Sequence, residues 1–100
     1  MSDSFEDRLR ELRERFRERA LADTAAIEGM AEDLRTGAGP SDLAAQLRQI
    51  AHRLAGAGGT FGFAEISARA SELEDLLEGH GDGELVERCQ ALVSEIRKAA

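Results

Sequence analysis

The stretch AHRLAGAGGTFGF, residues 51–63, decides how this chain is organised. A helical pattern leads into it, a histidine stands at position 52, and glycine occupies positions 56, 58, 59 and 62. Each glycine inside a helix costs about 1 kcal/mol relative to alanine, and a short chain has little stability to spare. Glycines beside a histidine therefore indicate that the backbone of another molecule comes close to this part of the helix.

An apolar stripe runs along the N-terminal segment, residues 5–35, at steps that fit one face of a helix. Ser4 is the expected N-cap, and Gly37 with the residues after it ends the segment. The pattern is compatible with one long helix or with two helices that break near Asp23 and Thr24. The stripe consists of Phe5, Leu9, Leu12, Phe16, Ala20, Ile27, Met30 and Leu34.

Three shorter helices follow. The second helix of the chain starts near its N-cap, Ser41, and runs through the histidine stretch. The third helix ends near Gly79, and Asp82 caps the fourth helix. No segment alternates with period two for long enough to predict a strand, and short connections favour antiparallel neighbours. The sequence therefore predicts an all-α fold, an up-down antiparallel four-helix bundle in a single domain, 1–100. The stripes of the third and fourth helices are Phe63, Ile66, Ala70, Leu73, Leu77 and Leu85, Val86, Cys89, Leu92, Val93, Ile96.

Charge and composition exclude several functions. The chain has 20 acidic and 13 basic residues and a net charge of −7, which argues against binding nucleic acid. No apolar run approaches the roughly 18 residues of a membrane span, and no signal-peptide pattern opens the chain, so a cytoplasmic location is expected. Cys89 cannot form an intrachain disulfide, since no other cysteine exists, and its place in an apolar stripe predicts a buried residue.

Helical rotation places His52 away from the core. At about 100° per residue, the apolar side chains of the second helix fall roughly opposite the histidine. On its own side, the residues three, four and seven positions later are Ala55, Gly56 and Gly59, so no bulky side chain crowds the imidazole. The predicted core face consists of Leu43, Leu47, Ile50, Leu54, Ala57 and Phe61.

Few chemistries suit a single exposed histidine. Zinc needs about four ligands, and neither His52 nor His80, expected in an exposed loop, has partners at a convincing spacing. A GxSxG elbow and a Walker loop are both absent. An exposed imidazole can, however, attack a phosphoryl group and carry it as phosphohistidine.

The segment AHRLAGAGGTFGFAEISARASELEDLL, residues 51–77, resembles the histidine-containing phosphotransfer (HPt) domain. It is especially similar to the phosphotransfer domain of chemotaxis histidine kinases. The family pattern places an apolar residue, a glycine, a second apolar residue and a second glycine at fixed distances after the histidine. The matching positions are His52, Leu54, Gly56, Phe61 and Gly62.

The resemblance implies a phosphorelay carrier in two-component signal transduction, not an independent enzyme. A response-regulator receiver domain would dock over the histidine helix, and a histidine kinase is the other expected partner. The domain itself would hold no cofactor and no metal, and Mg²⁺ would come with the receiver or kinase. Because the chain starts at Met1 and contains no kinase or receiver domain, we expect a stand-alone shuttle; a domain taken from a larger protein would give the same pattern. We also expect a monomer.

The resemblance also assigns roles to residues around His52. Glu74 matches a glutamate that hydrogen-bonds the histidine Nδ1–H; the alternative is a plain surface glutamate. The family often has lysine three residues after the histidine, where this chain has Ala55. Arg48 or Arg53 could supply the missing charge, with Arg48 favoured because it lies one turn earlier on the histidine face; plain surface charge is the alternative for both.

The missing lysine leaves a second class of function open. In this alternative, the bundle binds a receiver or kinase without transferring phosphate. The presence of His52 favours the carrier, since a pure interaction module has no use for the histidine.

Overall fold

A computed structural model describes residues 3–81 and 83–99 as four α-helices and contains no strand in those ranges. They are α1 (Asp3–Thr36), α2 (Leu43–Thr60), α3 (Ala64–Leu77) and α4 (Leu85–Ala99). Each helix packs on the next along the chain, and α4 packs back on α1. The predicted all-α four-helix bundle is confirmed. The predicted cap Asp82 lies outside the described residues.

Two predicted N-caps are wrong. Helix α1 already includes Asp3, so Ser4 lies inside the helix. Helix α2 begins at Leu43, which puts Asp42, not Ser41, in the cap position, and no side chain caps this end. A β-turn-like bond from the Leu43 N–H to the Pro40 carbonyl leads into the helix instead (3.2 Å).

Helix α1 is one long helix with no break near Asp23 and Thr24. Thr24 is buried, and its hydroxyl donates a hydrogen bond to the Leu21 carbonyl one turn earlier (2.7 Å). This bond satisfies the polar group inside the helix, so the residue that suggested a break is accommodated without one.

Helix α1 is also much longer than its neighbours. It has 34 residues, against 18, 14 and 15 in the other helices, and the molecule measures 54 × 22 × 22 Å. The predicted stripe enters the core only from Phe16 onward. Phe5, Leu9 and Leu12 are exposed, because none of the other three helices, as far as they are described, covers them.

All four helices contribute to one hydrophobic core. Cys89 is buried within it, as its stripe position predicted, and burial raises the pKa of its thiol to about 11. The core residues are Phe16, Ala20, Ile27, Ala31, Leu47, Ala51, Leu54, Ile66, Ala70, Leu73, Cys89, Leu92, Val93 and Ile96.

The buried face of α2 is rotated from the predicted one by roughly 40°, at 100° per residue. Ala51 and Gly58 are buried, whereas Ile50, Ala57 and Phe61 are only half-buried. Small side chains let α3 approach α2 closely, so the helix turns its small residues toward that neighbour. The prediction followed hydrophobicity and gave these small residues too little weight.

A glycine ends α2. Gly62 has φ of +84°, a left-handed conformation that side chains disfavour. Its N–H bonds the Gly59 carbonyl (3.4 Å), and the Phe63 N–H bonds the Gly58 carbonyl (2.8 Å). This pair of bonds is the Schellman motif, and it turns the chain directly into α3.

Candidate functional site

His52 lies on the solvent face of α2. Its side chain is 74% exposed, although the residue before it, Ala51, is completely buried. The core is therefore one helical step away, and the imidazole points outward, as the rotation predicted. An incoming molecule can reach the ring without any rearrangement of the bundle.

Glu74 of α3 holds the ring from the protein side. Its Oε2 lies 2.7 Å from Nδ1 of His52, and the glutamate side chain is only 16% exposed. A carboxylate can only accept, so Nδ1 carries the proton and donates. In the neutral ring, Nε2 then keeps its lone pair and is the nitrogen left for chemistry. The family resemblance implied this pair, and the fold brings the two residues together.

Close packing of α2 on α3 makes that contact possible. The Ser67 hydroxyl donates a hydrogen bond across the two helices to the Ala55 carbonyl (2.7 Å). A Cβ atom at Gly58 would lie 3.3 Å from the Ser67 nitrogen and 3.4 Å from the Phe63 carbonyl oxygen. Sequence reasoning missed the roles of Ser67 and Gly58. Gly58 lies four positions after Leu54, on the buried face, and this spacing was the available signal.

The glycines after His52 have different surroundings. A Cβ at Gly56 would meet nothing within 4 Å, and the residue is exposed. A Cβ at Gly59 would touch only the Ser67 hydroxyl, at 3.4 Å. Together with half-buried Ala55, these positions leave open space beside the imidazole. Of the helical glycines in this stretch, only Gly58 has backbone atoms of another segment within 3.4 Å of its Cβ position.

The two candidate arginines differ. Arg53 donates a hydrogen bond to Asp23 of α1 (2.8 Å), with side chains 33% and 17% exposed. Its guanidinium is therefore held between α1 and α2. Arg48 is half-buried, and it forms no hydrogen bond or ion pair with any described residue. Arg48, the arginine that the sequence favoured, is therefore the one whose charge is not already paired with a described residue. Asp23 was not recognised from the sequence.

The described part of the chain offers no other constellation of this kind. Within residues 3–81 and 83–99, no group of three His, Cys, Asp or Glu side chains is placed to hold a metal ion. His80 is exposed in the connection after α3, without a described hydrogen-bond partner for its ring. No described helix is long and apolar enough to cross a membrane.

Comparison with known families supplies the identity. The family model for the Hpt domain matches residues 1–99. Comparisons with curated proteins and with solved structures found no match. Hpt domains carry phosphoryl groups on histidine in two-component signalling and interact with kinases and response regulators; they are not independent enzymes. With nearly the whole chain matched, this protein belongs to the Hpt domain family.

Proposed function

We propose that His52 is the phosphoacceptor and that the protein is a phosphorelay carrier. Its Nε2 accepts a phosphoryl group from an aspartyl phosphate of a receiver domain, or from a kinase, and passes it on. One observation carries this proposal: an exposed imidazole is fixed through Nδ1 by Glu74, which leaves Nε2 directed to solvent.

The transfer step balances with these residues. The Nε2 lone pair attacks phosphorus, an N–P bond forms, and the P–O bond to the donor aspartate breaks. The bonding electrons leave with the aspartate oxygen, which becomes a carboxylate. Nδ1 keeps its proton, so the phosphorylated ring carries positive charge, and the Glu74 carboxylate lies against that charge. Passing the group to another aspartate reverses these steps.

Other residues of the histidine face assist in this proposal. Arg48, one turn before His52, contacts the phosphoryl oxygens and replaces the lysine that the family often has at the position of Ala55. Gly56 and Gly59 leave room for the receiver backbone. Arg53 stays with Asp23 and holds α2 against α1, so its role is structural.

The partner supplies Mg²⁺. Phosphoryl transfer needs cations that neutralise charge in the transition state. Mg²⁺, the usual cation, prefers several oxygen ligands. On the histidine face, the Glu74 carboxylate is already hydrogen-bonded to His52. We expect no specific Mg²⁺ binding to the isolated protein by calorimetry and a strict Mg²⁺ requirement for transfer from a receiver.

Labelling tests the assignment. The protein is incubated with a receiver domain that carries ³²P on its aspartate, beside His52→Gln and the matched variant His80→Gln. We expect acid-labile, base-stable label on the wild type and on His80→Gln, and none on His52→Gln. Helical content by circular dichroism should not change, because His52 is exposed. Label that persists in His52→Gln would refute the assignment.

The same experiment separates a carrier from an interaction module. A module would bind the receiver without acquiring label. Two results together would favour the module. The unphosphorylated receiver would bind the wild type in calorimetry, and a fully phosphorylated receiver would transfer no phosphate to it.

A further inference from the structure

The first turns of α1 carry apolar side chains that remain exposed among the residues that the structure describes. We call residues 3–15 the N-terminal extension. Within it, Phe5 is 74% exposed, Leu9 39% and Leu12 38%. Their spacing of four and three residues places all three on one stripe, as in a coiled-coil seam. Such a stripe is unusual on a surface that meets only water.

The end of the bundle leaves a space beside this stripe. The stripe continues into Phe16, which packs against Phe63 of the α2–α3 turn (ring centroids 5.1 Å apart). The last residues of α4, Lys98 and Ala99, line a groove together with Phe63. As far as the structure describes them, the turn and α4 reach about the level of Phe16. Among the described residues, no other helix runs beside the extension.

We propose that a second copy of this chain supplies the companion helix, and that two extensions pair antiparallel around a two-fold axis near Leu9. In this arrangement, Phe5 of each copy packs on Leu12 of the other, and the two Leu9 side chains meet at the axis. The contact is isologous and closed. It covers the whole exposed stripe and leaves Phe16 in its own core.

Charge favours this orientation. Glu6 and Arg13 follow Phe5 and Leu12 on the same flank of the stripe, so antiparallel pairing brings Glu6 of each copy close to Arg13 of the other. The Arg13 guanidinium also lies over the Phe63 ring of its own chain, 5.2 Å from the ring centroid.

On the other flank, antiparallel pairing brings the two Arg8 side chains together near the axis, one like-charged pair. A parallel pair would align Arg8 of each copy with Arg13 of the other, two such pairs, so antiparallel pairing remains the better orientation. The acidic first turns of one extension also approach the C-terminal end of α4 of the other copy. Lys98 lies there, 70% exposed and ion-paired with Glu95 of its own helix (3.1 Å), and the two helix dipoles attract.

The contact is small. Residues 3–15 of two copies bury roughly 1,000 Å² in total, the low end for a specific interface. We therefore expect a reversible dimer with a dissociation constant of about 10–100 µM. The sequence predicted a monomer, and no finding tests that prediction; the uncovered stripe is the reason to replace it with a weak dimer.

Sedimentation equilibrium of the full chain tests the dimer. The wild type should dimerise reversibly below about 500 µM. The double variant Leu9→Gln/Leu12→Gln should raise the dissociation constant about tenfold or more, while circular dichroism stays unchanged. Leu21→Gln is the matched control: Leu21 is 41% exposed on the same helix but lies about 180° around from Leu12, so its constant should stay within about twofold. The proposal is overturned if the wild type is monomeric at all these concentrations, which is the outcome expected if the stripe binds another partner. It is also overturned if the double variant dimerises as strongly as the wild type.

Cysteine crosslinking tests the orientation. Glu6→Cys chains mixed with Arg13→Cys chains should form a disulfide faster than either chain alone, because only antiparallel pairing brings positions 6 and 13 together. Native Cys89 is buried and does not interfere. Faster crosslinking of either single variant with itself would overturn antiparallel pairing.

Discussion

Gly56→Gln should stabilise this protein and impair it. Gly56 lies inside α2, is exposed, and a Cβ there would meet nothing within 4 Å. Glutamine is a much better helix former than glycine, and no neighbour has to move to accommodate it. The free energy of unfolding should therefore rise by about 0.5–1 kcal/mol, which raises the melting temperature by roughly 2–6 °C in a chain of this size.

Phosphoryl transfer should change in the opposite direction. Gly56 follows His52 by four residues, so a side chain at this position rises directly beside the imidazole. A receiver aspartate must bring phosphorus to about 3–3.5 Å from Nε2, and a displacement of about 1 Å can cost about a hundredfold in rate. We expect phosphoryl transfer from a phosphorylated receiver to slow by at least about tenfold. Rapid-quench labelling measures the rate, and urea titration measures the stability.

Gly29→Gln is the matched control. Gly29 is also an exposed helical glycine with nothing within 4 Å of its Cβ position, but it lies on α1, away from His52. It should give a similar gain in stability with an unchanged transfer rate. Normal transfer in Gly56→Gln would show that Gly56 leaves no room that a partner uses, and a loss of stability would show that it serves packing instead.

Three further outcomes are expected. Glu74→Ala should slow phosphorylation of His52 about ten- to hundredfold, since hydrogen bonds to charged groups are worth about 1.5–3 kcal/mol, and Glu74→Gln should slow it less because it keeps an acceptor; equal rates in single-turnover labelling would reduce Glu74 to a surface residue. Gly58→Ala should lower the free energy of unfolding by about 1–3 kcal/mol, because its Cβ would press on backbone atoms of α3 and the α2–α3 turn; a more stable variant in urea would contradict the close packing of these helices. Burial raises the pKa of the Cys89 thiol from 9.0 to about 11, so the thiol ionises at lower pH in the unfolded chain than in the folded one. The free energy of unfolding should therefore fall by about 1–3 kcal/mol between pH 9 and 11. In denaturant titrations across that range, Cys89→Ala should lack this decrease.

Periodicity predicted the four helices and their order, but it could not tell which turns of a helix have a neighbour. Phe5, Leu9 and Leu12 continue the stripe of Phe16 without interruption, yet they lie beyond the end of the bundle. The repeat of three and four residues reports which side of a helix is apolar. It carries no information about how far the other helices extend, and that depends on their lengths.

The site was partly predictable for a different reason. His52 was found from rotation, whereas Glu74 came from the family resemblance, since no local pattern links residues 22 positions apart. The same difficulty hid Asp23, which meets Arg53 across 30 residues of chain. Gly58 was hidden by chemistry, because hydrophobicity ranks glycine low even where its lack of a side chain is what packing requires.

The turn at Gly62 also bears on the order of folding. It joins α2 directly to α3, so His52 and Glu74 belong to one helical hairpin that closes a short loop. Contacts of small sequence separation cost little entropy to form and tend to form early. In native-state hydrogen exchange, the amides of Leu54 and Leu73, in the buried centres of α2 and α3, should therefore be among the slowest, and those near Leu9 among the fastest. His52 would then keep its geometry while the exposed end of α1 opens and closes.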